Sequence, residues 1–149
     1  MELFGGIEAG GTKFLCGIGA GPEDLSVASF PTSSPDVTLE KAARFFREQA
    51  GTKLSAIGIA SFGPVDLDPA SETYGHVTST PKLTWQNYDF AGAMARTFNL
   101  PVGFDTDVNA RRWPKRVGAR PETFWISSIS RLVLASEVVR SLVVDWCTA

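Results

Sequence analysis

The stretch Gly5-Gly6-Ile7-Glu8-Ala9-Gly10-Gly11-Thr12-Lys13 constrains the fold more than any other part of the chain. Apolar residues lead into it (Leu3, Phe4, Ile7) and out of it (Phe14, Leu15, Ile18), with two adjacent glycines between them. That pattern reads as strand, tight turn, strand, and the glycines are expected to supply the positive φ of a hairpin turn. Such a turn points backbone N–H groups into one concavity, and a polyphosphate can approach because no Cβ is in the way. Thr12 adds a hydroxyl, Lys13 a positive charge, and Glu8 a carboxylate able to hold a metal-bound water. The stretch is not a Walker loop, which needs G-x-x-x-x-G-K-[ST] followed by a helix. Taken alone, it also reads as a plain hairpin.

The rest of the chain alternates between strands and helices. Leu25 to Phe30 alternates as a third strand, and Pro31 to Pro35 reads as a loop. Ser34 suits an N-cap with Pro35 at the first helical position. A helix to about Ala50 places Leu39, Ala42, Ala43, Phe46 and Ala50 on one face, with Gly51 as its stop. Leu54 to Phe62 is a short apolar run, a buried strand, ending in the sharp turn Gly63-Pro64-Val65-Asp66. The stretch from there to Trp85 is long, irregular and polar, a length that in a compact domain points to a functional loop facing substrate. His76, the only histidine, reads as a turn residue. Asn87 or Asp89 can cap a second helix bearing Phe90, Met94 and Phe98, closed by Asn99-Leu100-Pro101. The short strand Pro101–Phe104 then delivers Asp105-Thr106-Asp107-Val108-Asn109 at its carboxyl end, where ligands sit in open α/β sheets. Two carboxylates and an asparagine there suit an acid/base or metal site; an Asx-rich helix cap is the equal alternative.

Composition bounds the function. At 149 residues the chain is one domain or a domain with a tail, and 44% hydrophobic residues suffice for a core. No membrane span or signal peptide is expected, and Cys16 and Cys147 have neither disulfide nor metal spacing. A cytoplasmic protein is the expectation. The net charge of −2 argues against a nucleic-acid surface.

Four motifs in order carry a resemblance: Gly6 to Lys13, Ser61-Phe62-Gly63-Pro64-Val65-Asp66, Tyr74-Gly75-His76-Val77-Thr78-Ser79-Thr80-Pro81-Lys82, and Asp105 to Ala110. Residues 3–110 resemble the ROK family of sugar kinases, and within it the bacterial fructokinases. The resemblance implies an α/β, actin-like, ribonuclease-H-like fold, a mixed sheet with helices. This chain would supply the N-terminal of two domains, with the second domain missing. It implies that Glu8, Gly10, Gly11, Thr12 and Lys13 bind the phosphates of ATP, with Mg²⁺ bridging them, and that Asp107 is the catalytic base. Asp105 and Asn109 would shape the sugar pocket, with Gly63, Pro64, Thr80, Pro81, Lys82 and Trp85 along its wall. Glu8 stands where most of the family has aspartate, a glutamate that fructokinase-like members share. Thr106 stands where many glucose-specific members have asparagine, which favours fructose over glucose. Family members are often homodimers.

The resemblance implies an ATP-dependent fructokinase, with glucokinase or another hexose kinase of the family as an alternative. From other classes, a non-catalytic sugar- or partner-binding module, or a metal-dependent enzyme using Asp105 and Asp107, remain open. After Ala110 the pattern breaks. Residues 1–110 carry 7 basic and 13 acidic residues, residues 111–149 carry 7 basic and 3 acidic; thirteen of the fourteen glycines precede position 111. The family's second phosphate loop, Glu-x-Gly-His motif and zinc cluster do not follow. One permitted codon set from Arg111 onward, read two bases later, yields a family-like helix, strand and glycine-rich loop. Residues 111–149 are therefore expected to be an out-of-frame tail, leaving this chain catalytically incompetent, against the alternative of a natural C-terminal helix.

Overall fold

A computed structural model describes residues 3–21, 24–51 and 53–111; the tail from residue 112 lies outside the described residues, as does its expected frameshift origin. Seven strands and three α-helices are described: β1 (Leu3–Ala9), β2 (Lys13–Gly21), β3 (Asp24–Pro31), α1 (Pro35–Ala50), β4 (Leu54–Ser61), β5 (His76–Val77), β6 (Tyr88–Asp89), α2 (Phe90–Phe98), β7 (Val102–Thr106) and α3 (Asp107–Arg111). Five strands form one mixed sheet in the order β3-β2-β1-β4-β7, and β5 and β6 form a separate small ribbon. The glycine-turn hairpin pairs Ala9 with Phe14, and β3 continues the antiparallel side. On the other side β4 and β7 run parallel to β1. The helix α1 lies between β3 and β4, and α2 between β4 and β7. This is the expected mixed α/β sheet. No helix among the described residues is long and apolar enough to cross a membrane.

The core forms because the periods of sequence and structure agree. Ile7 and Ala9 of β1, Ile57 and Ile59 of β4, and Phe104 of β7 share one face at period two. They join Leu39, Ala42, Phe46 and Ala50 of α1 in one buried cluster. These are four of the five positions read as the apolar face of α1, and the fifth, Ala43, is buried too. Burying Leu39 and Phe46 contributes about 1.5–3 kcal/mol each. Phe46 meets Phe98 of α2 edge-on at 6.0 Å between ring centroids. The opposite face of the sheet carries a row of glycines in register, Gly17, Gly6, Gly58 and Gly103, one from each of four adjacent strands.

Several local expectations are corrected. Gly10 and Gly11 do not adopt positive φ. Gly10 is needed for space instead: a Cβ there would lie 2.7 Å from the Lys13 carbonyl oxygen, which accepts the Gly10 N–H at 2.9 Å. Ser34 is the N-cap residue of α1, with Pro35 at its start, yet its side chain caps nothing; Thr38 Oγ1 accepts the Ser33 N–H from inside the helix. Gly51 does stop α1, at φ 56°. Asp89, not Asn87, caps α2 through the Gly92 N–H. His76 is a strand residue of β5 rather than a turn residue; it pairs with Asp89, with Nδ1 3.7 Å from that carboxylate.

The long stretch before Trp85 is not structureless. It holds β5 and a short 3-10 helix, Leu83–Trp85. Trp85 has no exposed surface and packs among Phe14, Phe62, Tyr88 and Phe90, with ring centroids 5.5–5.6 Å away. Its indole N–H donates to the Ser33 carbonyl at 2.8 Å. Gly75 makes a second tight contact possible: at φ 81°, its added Cβ would stand 2.5 Å from Ala91 Cβ. The loop is thus an extension of the core, held by one large aromatic side chain and one close backbone approach.

Candidate active site

Strands β1, β4 and β7 are parallel, so their carboxyl ends meet at one edge of the sheet. Register puts Ala9, Ser61 and Thr106 in one row at that edge, and Glu8, Ala60 and Asp105 in the row behind. The turn Gly10–Thr12 leaves from the first strand of the row, Gly63-Pro64 from the second, and Asp107 from the third. Three separated motifs thereby converge because parallel strands put their loops at one end.

The glycine turn is braced by Thr32, the residue that follows β3. Thr32 Oγ1 donates to the Gly10 carbonyl at 2.8 Å, and the Thr32 N–H donates to the Thr12 carbonyl at 2.9 Å. With both carbonyls bound from one side, the turn is held in a fixed shape. Thr12 and Lys13 are exposed. Sequence reading missed Thr32, since its partners lie twenty or more residues away and no local pattern marks it.

The two candidate carboxylates differ sharply. Asp105 Oδ1 accepts the Thr106 N–H at 2.7 Å and the Asn109 side-chain N–H at 2.8 Å. Thr106 Oγ1 accepts the Asn109 N–H at 3.0 Å, capping α3. The Asx-cap reading of this segment therefore describes Asp105, Thr106 and Asn109. Asp107, the first residue of α3, takes no side-chain hydrogen bond among the described residues. It is half-buried.

The loops that follow β4 and β5 are clamped together. The Pro64 carbonyl accepts both the Thr78 N–H (2.8 Å) and the Thr78 hydroxyl (3.1 Å), and the Gly63–Pro64 peptide is cis. Asp66 organises the intervening turn, accepting from the hydroxyls of Ser71 and Thr73 and from the Asp68 N–H. Those hydrogen bonds, Ser71 first, lower its carboxyl pKa below the ordinary 3.8. Tyr74 lies within the field of Asp105: burial first, and then that negative charge, raise its phenol pKa above 10.0.

Of the residues expected along the sugar-pocket wall, Gly63, Pro64 and Pro81 are exposed and Lys82 is half-buried. Thr80 is 2% exposed and Trp85 has no exposed surface; both support the loop from within. A cavity of about 280 Å³ is lined by Thr32, Ser33, Lys82, Leu83, Thr84 and Trp85. It adjoins the braced turn, not Asp107. No three His, Cys, Asp or Glu side chains are gathered to hold a metal among the described residues.

Comparison with known proteins agrees with this architecture. The ROK family profile matches residues 4–125, which extends past the boundary read at Ala110. A fructokinase of Streptococcus mutans serotype c is 44% identical over 117 residues, covering 78% of this chain and 40% of that protein. A putative fructokinase of Bacillus subtilis strain 168 is 50% identical over 111 residues, covering 72% and 36%. The chain therefore spans about two fifths of the length of the curated relatives it matches. Among solved structures, a ROK family glucokinase from Streptomyces griseus in complex with glucose and AMPPNP superposes with a TM-score of 0.58 at 22% identity, covering 74% of this chain and 35% of that one. The shared fold is the actin-like ATPase fold.

Proposed function

The chain belongs to the ROK family, and on that premise we propose that it is the N-terminal part of an ATP-dependent fructokinase, carrying the first phosphate turn and the catalytic base. The observation that carries this reading is the convergence on one edge of the sheet of the braced Gly10–Thr12 turn and of Asp107, whose carboxylate takes no hydrogen bond among the described residues. The likeness to fructokinases over this stretch supports the acceptor, as does Thr106 in place of the asparagine of glucose-specific members.

The residues present fit a triphosphate. The turn has no Cβ at Gly10 or Gly11, a hydroxyl at Thr12 and an ammonium at Lys13, none of them in an ion pair among the described residues. Mg²⁺ is usually held by phosphates, waters and one or two carboxylates rather than by a protein cage; Glu8 would hold water on that ion. ATP supplies the phosphoryl group, and the protein's task is positioning and charge stabilisation. Asp107 accepts the proton of the attacking sugar hydroxyl. Asp105, already fixed by Thr106 and Asn109, orients the start of α3 so that Asp107 faces the edge. Gly63, Pro64 and Pro81 wall the sugar.

Family kinases close a cleft between two domains, and phosphoryl transfer needs donors on both sides of the phosphates; losing one such set typically costs orders of magnitude in rate. We propose accordingly that this chain by itself binds substrate and turns over poorly, and that residues 111–149 are an out-of-frame tail. The test is calorimetric titration of the purified chain with fructose, glucose and ATP, beside a coupled assay of phosphorylation. Fructose and ATP binding with negligible turnover is expected, and Asp107→Asn should abolish the residual turnover while retaining sugar. Failure to bind either substrate refutes the kinase reading. Ordinary turnover refutes the incompetence of the chain.

A further inference from the structure

We infer that Lys82 is a second cation of the phosphate turn, set against the anionic phosphates of a nucleoside triphosphate rather than against the sugar. The inference rests on the kinase reading above and reassigns one residue expected along the sugar wall. Its basis is a juxtaposition 71 positions apart in sequence: Lys82 Cε is the nearest heavy atom to the place a Gly11 Cβ would occupy, at 3.6 Å. The charged end of Lys82 thus lies over the turn whose N–H groups would face phosphate.

The side chain reaches there from a rigid base. The Lys82 N–H donates to Thr80 Oγ1 at 3.3 Å, and its carbonyl accepts the Trp85 N–H at 2.9 Å. Thr80 and Trp85, on either side, are both buried, and Trp85 is bound to Ser33, next to the Thr32 that braces the turn. One short segment, Thr32-Ser33, therefore holds both the turn and the loop that presents Lys82.

Chemistry selects the ligand. The ion pairs among the described residues are His76–Asp89 and Arg96–Asp89, so neither Lys13 nor Lys82 is neutralised by an acidic side chain there. An ammonium over bare glycine backbone gains far more from a multiply charged phosphate chain than from a neutral hexose, whose hydroxyls already have water. The competing role is packing, in which the methylene stem simply covers Gly11. Lys82→Met separates the two, because it keeps the stem and removes the charge.

The experiment is calorimetric binding of inorganic tripolyphosphate, and separately of fructose, to the full 149-residue chain as wild type, Lys82→Met and Lys82→Arg. Tripolyphosphate should bind about tenfold more weakly to Lys82→Met, equivalent to about 1.4 kcal/mol at 25 °C, and recover with Lys82→Arg. Added salt should weaken the wild type more than Lys82→Met, while fructose affinity and the thermal midpoint stay unchanged. Equal tripolyphosphate affinity in wild type and Lys82→Met overturns the inference, as does a loss confined to fructose. Lack of tripolyphosphate binding by the wild type also overturns it, and fructose binding in the same samples then shows whether the kinase reading fails with it.

Discussion

Replacing Trp85 by phenylalanine should destabilise the protein by about 2–3 kcal/mol, a large fraction of a small domain's stability. The indole is fully buried among Phe14, Phe62, Tyr88 and Phe90. Phenylalanine keeps the stacking partners but loses the bicyclic ring's extra atoms, and at about 0.8 kcal/mol per buried methylene equivalent this costs roughly 1–2 kcal/mol. It also removes the bond to the Ser33 carbonyl. Ser33 is itself exposed, so water can replace the donor, and the loss stays near the net value of about 1 kcal/mol rather than the full penalty of a dry orphan. Trp85→Ala removes the whole ring and should cost about 3–5 kcal/mol. Urea unfolding followed by far-ultraviolet circular dichroism measures this. With a slope of about 1–3 kcal/mol per molar for a small protein, the midpoint should fall by about 1–2 M in Trp85→Phe. The loop has a further signature: amide exchange at Thr80–Gln86 and at Gly10–Lys13 should quicken together, because Ser33 and Thr32 link them. A Trp85→Phe midpoint within 0.3 M of the wild type would refute the account of this residue as the anchor of the loop.

Three further outcomes follow from the same contacts. Gly10→Ala should destabilise by about 1–3 kcal/mol, since its Cβ would meet the Lys13 carbonyl at 2.7 Å, whereas Gly11→Ala, with 3.6 Å to Lys82 Cε, should leave the thermal midpoint nearly unchanged and weaken tripolyphosphate binding; thermal unfolding and calorimetry distinguish them. Asp66 has a folded pKa below its ordinary 3.8, so its contribution to stability is present above that pH and is lost as pH falls through the lowered value. The difference in thermal midpoint between wild type and Asp66→Asn should therefore be constant near neutrality and shrink below about pH 4, and a difference that grows on acidification would contradict it. Burial pushes the Cys16 thiol far above its usual range, so in Cys147→Ser a thiol reagent should leave the folded chain unmodified and label one cysteine on denaturation.

Much of the fold is legible in the residues because the signals are local and periodic. The alternation of Ile7, Ala9, Ile57 and Ile59, and the recurrence of Leu39, Ala42, Phe46 and Ala50, give the strands and the helix that covers them. The Gly10-Gly11 pair marks the hairpin, although its necessity proves to be the 2.7 Å approach to the Lys13 carbonyl and not a positive φ. Where side chains compete for the same local role, the pattern gives less. Asn87 is as good a capping residue on paper as Asp89, and only the packed backbone selects between them; Ser34 does take the N-cap position of α1, but its side chain makes no capping bond there.

The sequence by itself determined the mixed α/β sheet, the glycine turn and the arrival of Asp105 and Asp107 at the end of a strand, since spacing along the chain is enough to specify them. Tertiary structure alone decided that, among the described residues, Asp105 and not Asp107 is engaged, because that depends on hydrogen bonds formed by Thr106 and Asn109 after α3 begins. It also decided that Trp85 belongs to the core, that Thr32 braces the turn and that Lys82 lies over Gly11. Each is a contact across 20 to 71 positions of sequence. Periodicity fixes the face on which a residue lies, but only closure of the sheet and its loops fixes what that residue meets there.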